Sequence, residues 1–173
     1  MAALLVCGVF VSKFLLGVLL WCSLIFSGAV SADPIGSPAA DFSAQTLGGQ
    51  AFQLSALKGQ PILLKIGTTW CPSCRTQAKT IDKVRPFLVE NGVRLVDVFI
   101  DETARSVERY YRAGGYKKAD AIILDNGSAY EQYNVYVIPR VLLIDEDFNI
   151  VRDGGDLSAR QLKSLVTDMV EGR

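Results

Sequence analysis

The feature that most constrains the fold of this 173-residue chain is a pair of cysteines where an apolar strand pattern changes into a helical one. Residues 61–67, PILLKIG, have the length and composition of a buried strand. Cys71 and Cys74 follow in TTWCPSCR, and apolar residues then recur at helical spacing over residues 72–90. The pattern predicts that Cys71 lies at the amino terminus of a helix, with Cys74 one turn along the same face.

The elements around this junction alternate between strand and helix. After a short hairpin over residues 42–54, strand patterns at 61–67, 93–100 and 121–125 are each followed by a helical pattern, the last of them short. A hairpin around residues 145–149 and an amphipathic helix end the chain. The order predicts an α/β domain with a central mixed β-sheet, helices on both faces and an N-terminal β-hairpin extension.

The first 32 residues have the pattern of an export segment. Lys13 is their only charge, and residues 14–30 are uncharged and mostly apolar. Either a signal peptide is cleaved after Ala32, or residues 14–30 stay as a membrane anchor; a lipoprotein at Cys22 is disfavoured by the bulky Trp21. Each alternative places the domain in the periplasm or another extracytoplasmic space. The predicted organisation is residues 1–32 as signal peptide or anchor, 33–41 as linker and 42–173 as the domain.

Charge and composition exclude several functions for the exported part. Without Lys13 the balance is 17 basic and 18 acidic residues, with no basic stripe, so we expect no nucleic-acid partner. The chain has no histidine, and a zinc site needs four ligands, so we predict neither metal nor cofactor. A disulfide with two residues between its cysteines removes little entropy from the unfolded chain, so a purely structural disulfide is disfavoured.

A redox pair explains the cysteines best. A helix amino terminus stabilises a thiolate, and Pro72 suits the first helical turn because its missing N–H costs nothing there. Cys71 is the predicted nucleophile that forms a mixed disulfide, and Cys74 is the predicted resolving cysteine.

Several motifs carry a family resemblance: ADF at residues 40–42, WCPSC, DAIILDNGSAYEQYNV and VIPRVLLID. With these motifs the chain resembles the TlpA/ResA type of thioredoxin-fold protein, which comprises exported, often membrane-tethered thiol-disulfide oxidoreductases linked to cytochrome c maturation. The resemblance implies a cis bond between Ile138 and Pro139 that lies against the cysteines. It also implies that Trp70, Pro72, Ile138 and Pro139 bind substrate.

The resemblance further implies a role for Glu102 in the loop after the second central strand. It would accept a proton from Cys74 or tune the pKa values of the cysteines. The alternative is an exposed residue that opens the next helix.

The sequence departs from the family pattern at four positions. Gly67 stands where an aromatic residue is common, and Gln77 and Lys79 replace glutamate and proline. Arg140 replaces a small hydroxyl residue after the proline, and a guanidinium near the sulfurs would lower a thiol pKa. These departures leave the substrate and the reduction potential open.

The predicted function is reduction of protein disulfides by an exported enzyme that draws electrons from a membrane thiol donor. The haem-site thiols of an apocytochrome c are one candidate substrate. A disulfide-donating oxidase and a redox-inactive peptide-binding or assembly module are the alternatives. A peroxidase is disfavoured because Leu64 stands where that motif has proline, and a copper chaperone because histidine is absent.

Overall fold

The computed structural model describes residues 35–172. In this part of the chain, seven strands, a short 3-10 helix and four α-helices follow one another. In chain order they are β1 (Ser43–Thr46), β2 (Ala51–Gln53), the 3-10 helix (Leu54–Leu57), β3 (Ile62–Gly67), α1 (Pro72–Glu90), β4 (Arg94–Ile100), α2 (Ala104–Gly114), β5 (Ala121–Asp125), α3 (Ser128–Gln132), β6 (Arg140–Ile144), β7 (Ile150–Gly154) and α4 (Ala159–Val170).

The strands form one mixed sheet in the order β2-β1-β5-β4-β3-β6-β7. β3, β4 and β5 are parallel, because helical crossovers connect them, whereas β6 and β7 continue the sheet antiparallel to β3. The β1–β2 hairpin pairs antiparallel with β5 and extends the opposite edge. This arrangement confirms the predicted α/β fold with an N-terminal hairpin extension.

Helices cover both faces of the sheet, as predicted. On one face of the sheet, α1 and α4 cover buried side chains of β3 and β6. On the same face, α2 packs around Phe99 of β4. On the other face, α3 contributes Ala129 and Tyr133 to a core that also contains Val96 and Val98. The alternation along β4 explains this division, since successive side chains of a strand point to opposite faces.

The segment before β1 contacts the domain in its described part. The amide of Gly36 donates to the carbonyl of Ile150 at 2.7 Å, and the amide of Ala39 donates to the carbonyl of Phe148 at 2.8 Å. The hydroxyl of the buried Tyr133 donates to the carbonyl of Ala40 at 2.7 Å. These bonds attach residues 36–40 to β7, to the turn before it and to the residue that follows α3, while the boundary between linker and domain at residue 42 stays a prediction.

The predicted export segment lies outside the described residues. Across residues 35–172, no helix is both long enough and apolar enough to cross a membrane.

Candidate active site

Helix α1 positions the first cysteine at its amino terminus. Cys71 is the N-cap residue, with extended backbone angles, and Pro72 occupies the first turn. The amide of Cys74 donates to Cys71 Sγ at 3.2 Å, and Ser73 Oγ lies 3.1 Å from the same sulfur. The Cys71 sulfur thus takes the place of a capping oxygen, so a helix N–H that would otherwise lack a partner stabilises the thiolate.

The loop before β6 lies against this sulfur. The Ile138–Pro139 bond is cis, as predicted, and Pro139 is buried. The carbonyl oxygen of Ile138 lies 4.0 Å from Cys71 Sγ and 3.5 Å from Ser73 Oγ. The fold therefore brings together residues that are 67 positions apart in the chain.

Cys74 lies beneath the surface, at the junction of α1 and β3. Cys74 is fully buried, whereas Cys71 is 4 % exposed. A Cβ atom at Gly67 would come within 2.8 Å of Cys74 Sγ, so the glycine at this position leaves room for the sulfur. Both cysteines are free thiols.

The environment separates the acidities of the two thiols. Burial raises the pKa of Cys71, but the hydrogen bonds from Cys74 and Ser73 outweigh burial and leave this pKa below that of an ordinary thiol. Burial and the hydrogen bond with Cys71 raise the pKa of Cys74 to about 12. Cys71 is thus the more acidic of the two thiols by pKa, and its role as the nucleophile stays a prediction.

The predicted substrate-binding residues surround Cys71. Trp70 is 68 % exposed and Pro72 is exposed, whereas Ile138 is half-buried with its carbonyl oxygen near the sulfur. The side chain of Arg75 supports this rim, because its Nε donates to the carbonyl oxygen of Thr69 at 2.9 Å.

Glu102 lies under the loop that leads to Trp70. Its carboxylate accepts the amide of Thr69 at 2.7 Å, the hydroxyl of Thr69 at 2.5 Å and the hydroxyl of Ser106. Burial raises its pKa, but the bonds from Ser106 and Thr69 outweigh burial and lower it. Among residues 35–172, no hydrogen bond joins this carboxylate to a sulfur, and its role in proton transfer stays a prediction.

Two residues that depart from the family pattern have clear structural partners. The guanidinium of Arg140 binds Asp153 and the carbonyl of Asn134, so it is directed into the loop before β6. Gln77 is 1 % exposed, and its side-chain oxygen accepts the amide of Leu157 at 2.7 Å, which ties α1 to the start of α4. Lys79 is exposed on α1.

Three residues near the site were not predicted from the sequence. Ser73 contacts the Cys71 sulfur, and its hydroxyl within the motif was the available signal. Thr69 holds Glu102 through both its amide and its hydroxyl. Lys65, below Cys74 in β3, forms a buried ion pair with Asp97, and a charged residue inside an apolar strand pattern was a signal for a buried partner.

The chain is similar to known proteins over most of its described length. Residues 34–158 match the model of the Redoxin family. The chain is 32 % identical over 157 residues to the thiol-disulfide oxidoreductase ResA of Bacillus thuringiensis (strain Al Hakam), covering 83 % of this chain and 90 % of that relative. It is also 32 % identical over 114 residues to the thioredoxin-like protein YneN of Bacillus subtilis (strain 168), covering 64 % and 65 % of the two chains.

The fold has solved counterparts as well. The structure of MTB DsbF, in its mixed oxidised and reduced forms, superposes with a TM-score of 0.68 at 26 % identity and covers 77 % of this chain and 98 % of that one. The family match, the relatives and the thioredoxin fold agree with one another. The chain belongs to the Redoxin family and is a thiol-disulfide oxidoreductase of the TlpA/ResA type.

Proposed function

We propose that Cys71 and Cys74 are the redox pair of this enzyme and that it reduces protein disulfides. The observation that carries the proposal is the Cys71 sulfur at the start of α1, hydrogen-bonded by the Cys74 amide and beside Ser73 Oγ. A thiolate stabilised in this way is the form that attacks disulfides.

The proposed cycle has two exchange steps. The Cys71 thiolate attacks one sulfur of the substrate disulfide and forms a mixed disulfide, and the other substrate sulfur leaves as a thiolate and takes up a proton. Cys74 then loses its proton and attacks Cys71 Sγ, which releases the second substrate thiol. Two electrons have passed to the substrate, and the enzyme holds a Cys71–Cys74 disulfide.

The residues around Cys71 would bind the substrate chain. The carbonyl of Ile138, next to Pro139, lies close enough to Cys71 to pair with the backbone of a bound peptide. Trp70 and Pro72, the chain neighbours of Cys71, would contact the substrate as well. For Glu102 we retain the predicted role of proton acceptor from Cys74, which would be indirect because its carboxylate is hydrogen-bonded to Thr69 and Ser106.

Reduction is the proposed direction of the reaction. Strongly oxidising proteins of this kind owe their high reduction potential to a heavily stabilised thiolate, often with help from a histidine between the cysteines. This chain has no histidine. A membrane thiol donor would re-reduce the pair, and an apocytochrome c haem site is one proposed substrate. Residues 1–32 would export the domain, either as a cleaved signal or as an anchor through residues 14–30.

The reduction potential of the purified protein tests this proposal. We expect a value near or below about −250 mV when the protein is equilibrated with dithiothreitol buffers, as for thioredoxin-like reductants. A value near about −120 mV would identify a disulfide-donating oxidase instead.

Serine variants separate an enzyme from a binding module. Cys71→Ser is expected to abolish disulfide reduction, and Cys74→Ser to trap a mixed disulfide with the substrate. If a Cys71→Ser/Cys74→Ser variant still performs the biological function, the protein acts as a peptide-binding or assembly module without redox turnover.

A further inference from the structure

A glycine lies against the buried cysteine of the redox pair. Gly67 is the last residue of β3 and is itself buried, and the chain departs from the family pattern at this position. A Cβ atom at Gly67 would lie 2.8 Å from Cys74 Sγ and 3.4 Å from Cys74 Cβ. Non-bonded carbon atoms attract best at about 3.5–4.0 Å and sulfur is larger than carbon, so a contact of 2.8 Å is a clash. No side chain therefore fits at Gly67 while the Cys74 sulfur occupies this place.

The requirement for glycine at this position comes from space and not from the backbone. Gly67 does not have a positive φ, so alanine could adopt its backbone conformation. Alternation along β3 places Leu63, Lys65 and Gly67 on the face toward α1. Leu63 packs among apolar residues of α1 and Lys65 pairs with Asp97, whereas the Cys74 sulfur fills the place of a side chain at Gly67. A glycine inside a strand often marks such a close approach.

The two sulfurs are held in different ways in the dithiol form. Cys71 Sγ accepts the amide of Cys74 at 3.2 Å and lies 3.1 Å from Ser73 Oγ. Cys74 Sγ lies in the space that Gly67 leaves. A disulfide bond is shorter than a contact between two free thiols, so at least one sulfur moves when the bond forms. Because two polar contacts hold Cys71 Sγ, we assign the larger movement to Cys74 Sγ, away from Gly67.

We propose that Gly67 is a positioning residue that sets the reduction potential of the Cys71–Cys74 pair by giving the Cys74 sulfur its place in the dithiol form. The proposal deepens the proposed function, since it rests on these cysteines being the redox pair. On reduction the disulfide takes up two electrons and two protons, the S–S bond breaks, and both sulfurs become thiols. Packing of Cys74 Sγ against Gly67 favours the dithiol side of this equilibrium, so it raises the reduction potential and moderates the reducing power of the enzyme.

Equilibration with dithiothreitol buffers tests the proposal on the full-length chain in nanodiscs, which cover the apolar run of residues 14–30. Reduced dithiothreitol passes two electrons and two protons to the enzyme disulfide and becomes oxidised dithiothreitol, so the buffer ratio at half reduction gives the potential. After an acid quench and alkylation, mass spectrometry of the tryptic peptide of residues 66–75 reports Cys71 and Cys74 alone, because Cys7 and Cys22 fall in other peptides.

Gly67→Ala should favour the disulfide form. The added methyl group takes the place of Cys74 Sγ in the dithiol form, and the cost of overpacking a core then falls mainly on that form. We expect the equilibrium constant for reduction to fall about tenfold, which lowers the reduction potential by about 30 mV. Gly155→Ala is the matched control and should keep the wild-type potential. Gly155 also lacks a positive φ, and apart from its chain neighbours no heavy atom lies within 4 Å of an added Cβ.

The stability of Gly67→Ala in its two redox forms gives a second test. Proteolysis of the domain in increasing urea compares each form with the same form of the wild type. We expect Gly67→Ala to lose more stability as the dithiol than as the disulfide, up to a variant that is folded only when oxidised. Equal loss in the two forms, or unfolding of both, would refute the proposal, because Gly67 would then serve both forms alike.

The wild type separates failure of this proposal from failure of the proposed function. If no dithiothreitol ratio produces a Cys71–Cys74 disulfide in the wild type, the proposed redox pair fails. If the wild type forms this disulfide and Gly67→Ala has an unchanged or higher potential, only the role of Gly67 is refuted. The absolute potential of the wild type tests the direction of the reaction, and the comparison between variants does not depend on it.

Discussion

At the scale of single residues, the two thiols differ because their surroundings differ. Cys71 accepts a backbone N–H and lies 3.1 Å from a hydroxyl, whereas Cys74 is buried at the floor of the site. Removing the hydroxyl with Ser73→Ala should raise the pKa of Cys71 and slow its alkylation at pH 7 by about threefold, as expected for the loss of one hydrogen bond.

The pH dependence of iodoacetamide labelling measures this effect. In the wild type, mass spectrometry should find one adduct, on Cys71, between pH 6 and pH 9 because the pKa of Cys74 is about 12. Thr76→Ala is the matched control, since the Thr76 hydroxyl donates to the carbonyl of Pro72 rather than contacting a sulfur. Equal labelling of both cysteines at pH 7 would contradict the assignment of the nucleophile.

At the scale of elements, Glu102 joins the end of β4 to the loop before α1. Its carboxylate accepts hydrogen bonds from Thr69 and Ser106, so Glu102→Gln should lower the free energy of unfolding by about 1–2 kcal/mol at pH 7. The folded-state pKa of Glu102 is lowered from its usual 4.5. The charge therefore stabilises the fold above pH 4.5, and this contribution disappears as the pH falls through the lowered pKa.

Urea unfolding at several pH values checks this expectation. The difference between wild type and Glu102→Gln should shrink on acidification, and Glu108→Gln, at an exposed position of α2, should show no comparable loss. A difference that is constant with pH would mean that the charge of Glu102 does not stabilise the fold. The same variant tests proton transfer, because slower resolution of the mixed disulfide by Cys74 would support Glu102 as the acceptor.

At the scale of the whole molecule, a buried ion pair lies under the site. Lys65 of β3 pairs with Asp97 of β4, and the hydroxyl of Tyr111 donates to the second oxygen of Asp97 at 2.6 Å. Lys65 is 1 % exposed, and its ammonium group lies over the ring of Phe99 as well as against Asp97. The pair links the two central strands to α2.

Breaking this pair should destabilise the protein strongly. Lys65→Met leaves a buried carboxylate without its cation and should cost roughly 3–5 kcal/mol of unfolding free energy in urea. In Lys65→Met/Asp97→Asn no net charge is buried and an oxygen remains for Tyr111, so we expect much of that loss to be recovered. If the losses of unfolding free energy from the two substitutions simply add, Lys65 and Asp97 are not coupled.

Local sequence patterns predicted much of the fold. Apolar runs and helical spacing indicated the strand–helix order. Ser158 and Gln161 have the spacing of a capping box, and this box forms at the start of α4. The position of Cys71 at a helix start also followed from neighbouring residues. The resemblance supplied the cis bond before Pro139. Exposure was not predictable, since Tyr136 and Val137 are apolar and such residues are more often buried.

The order of elements, the dithiol at the start of α1 and the absence of histidine ligands all follow from the amino-acid sequence, because they depend on composition and on residues close in the chain. The tertiary structure alone decided which distant residues meet at the site. The carbonyl of Ile138 faces Cys71, Thr69 meets Glu102, and Lys65 meets Asp97 across 32 positions. These contacts depend on strand order and register, which place β6 and β4 on either side of β3. Local propensity does not specify that arrangement; the packing of the whole sheet does.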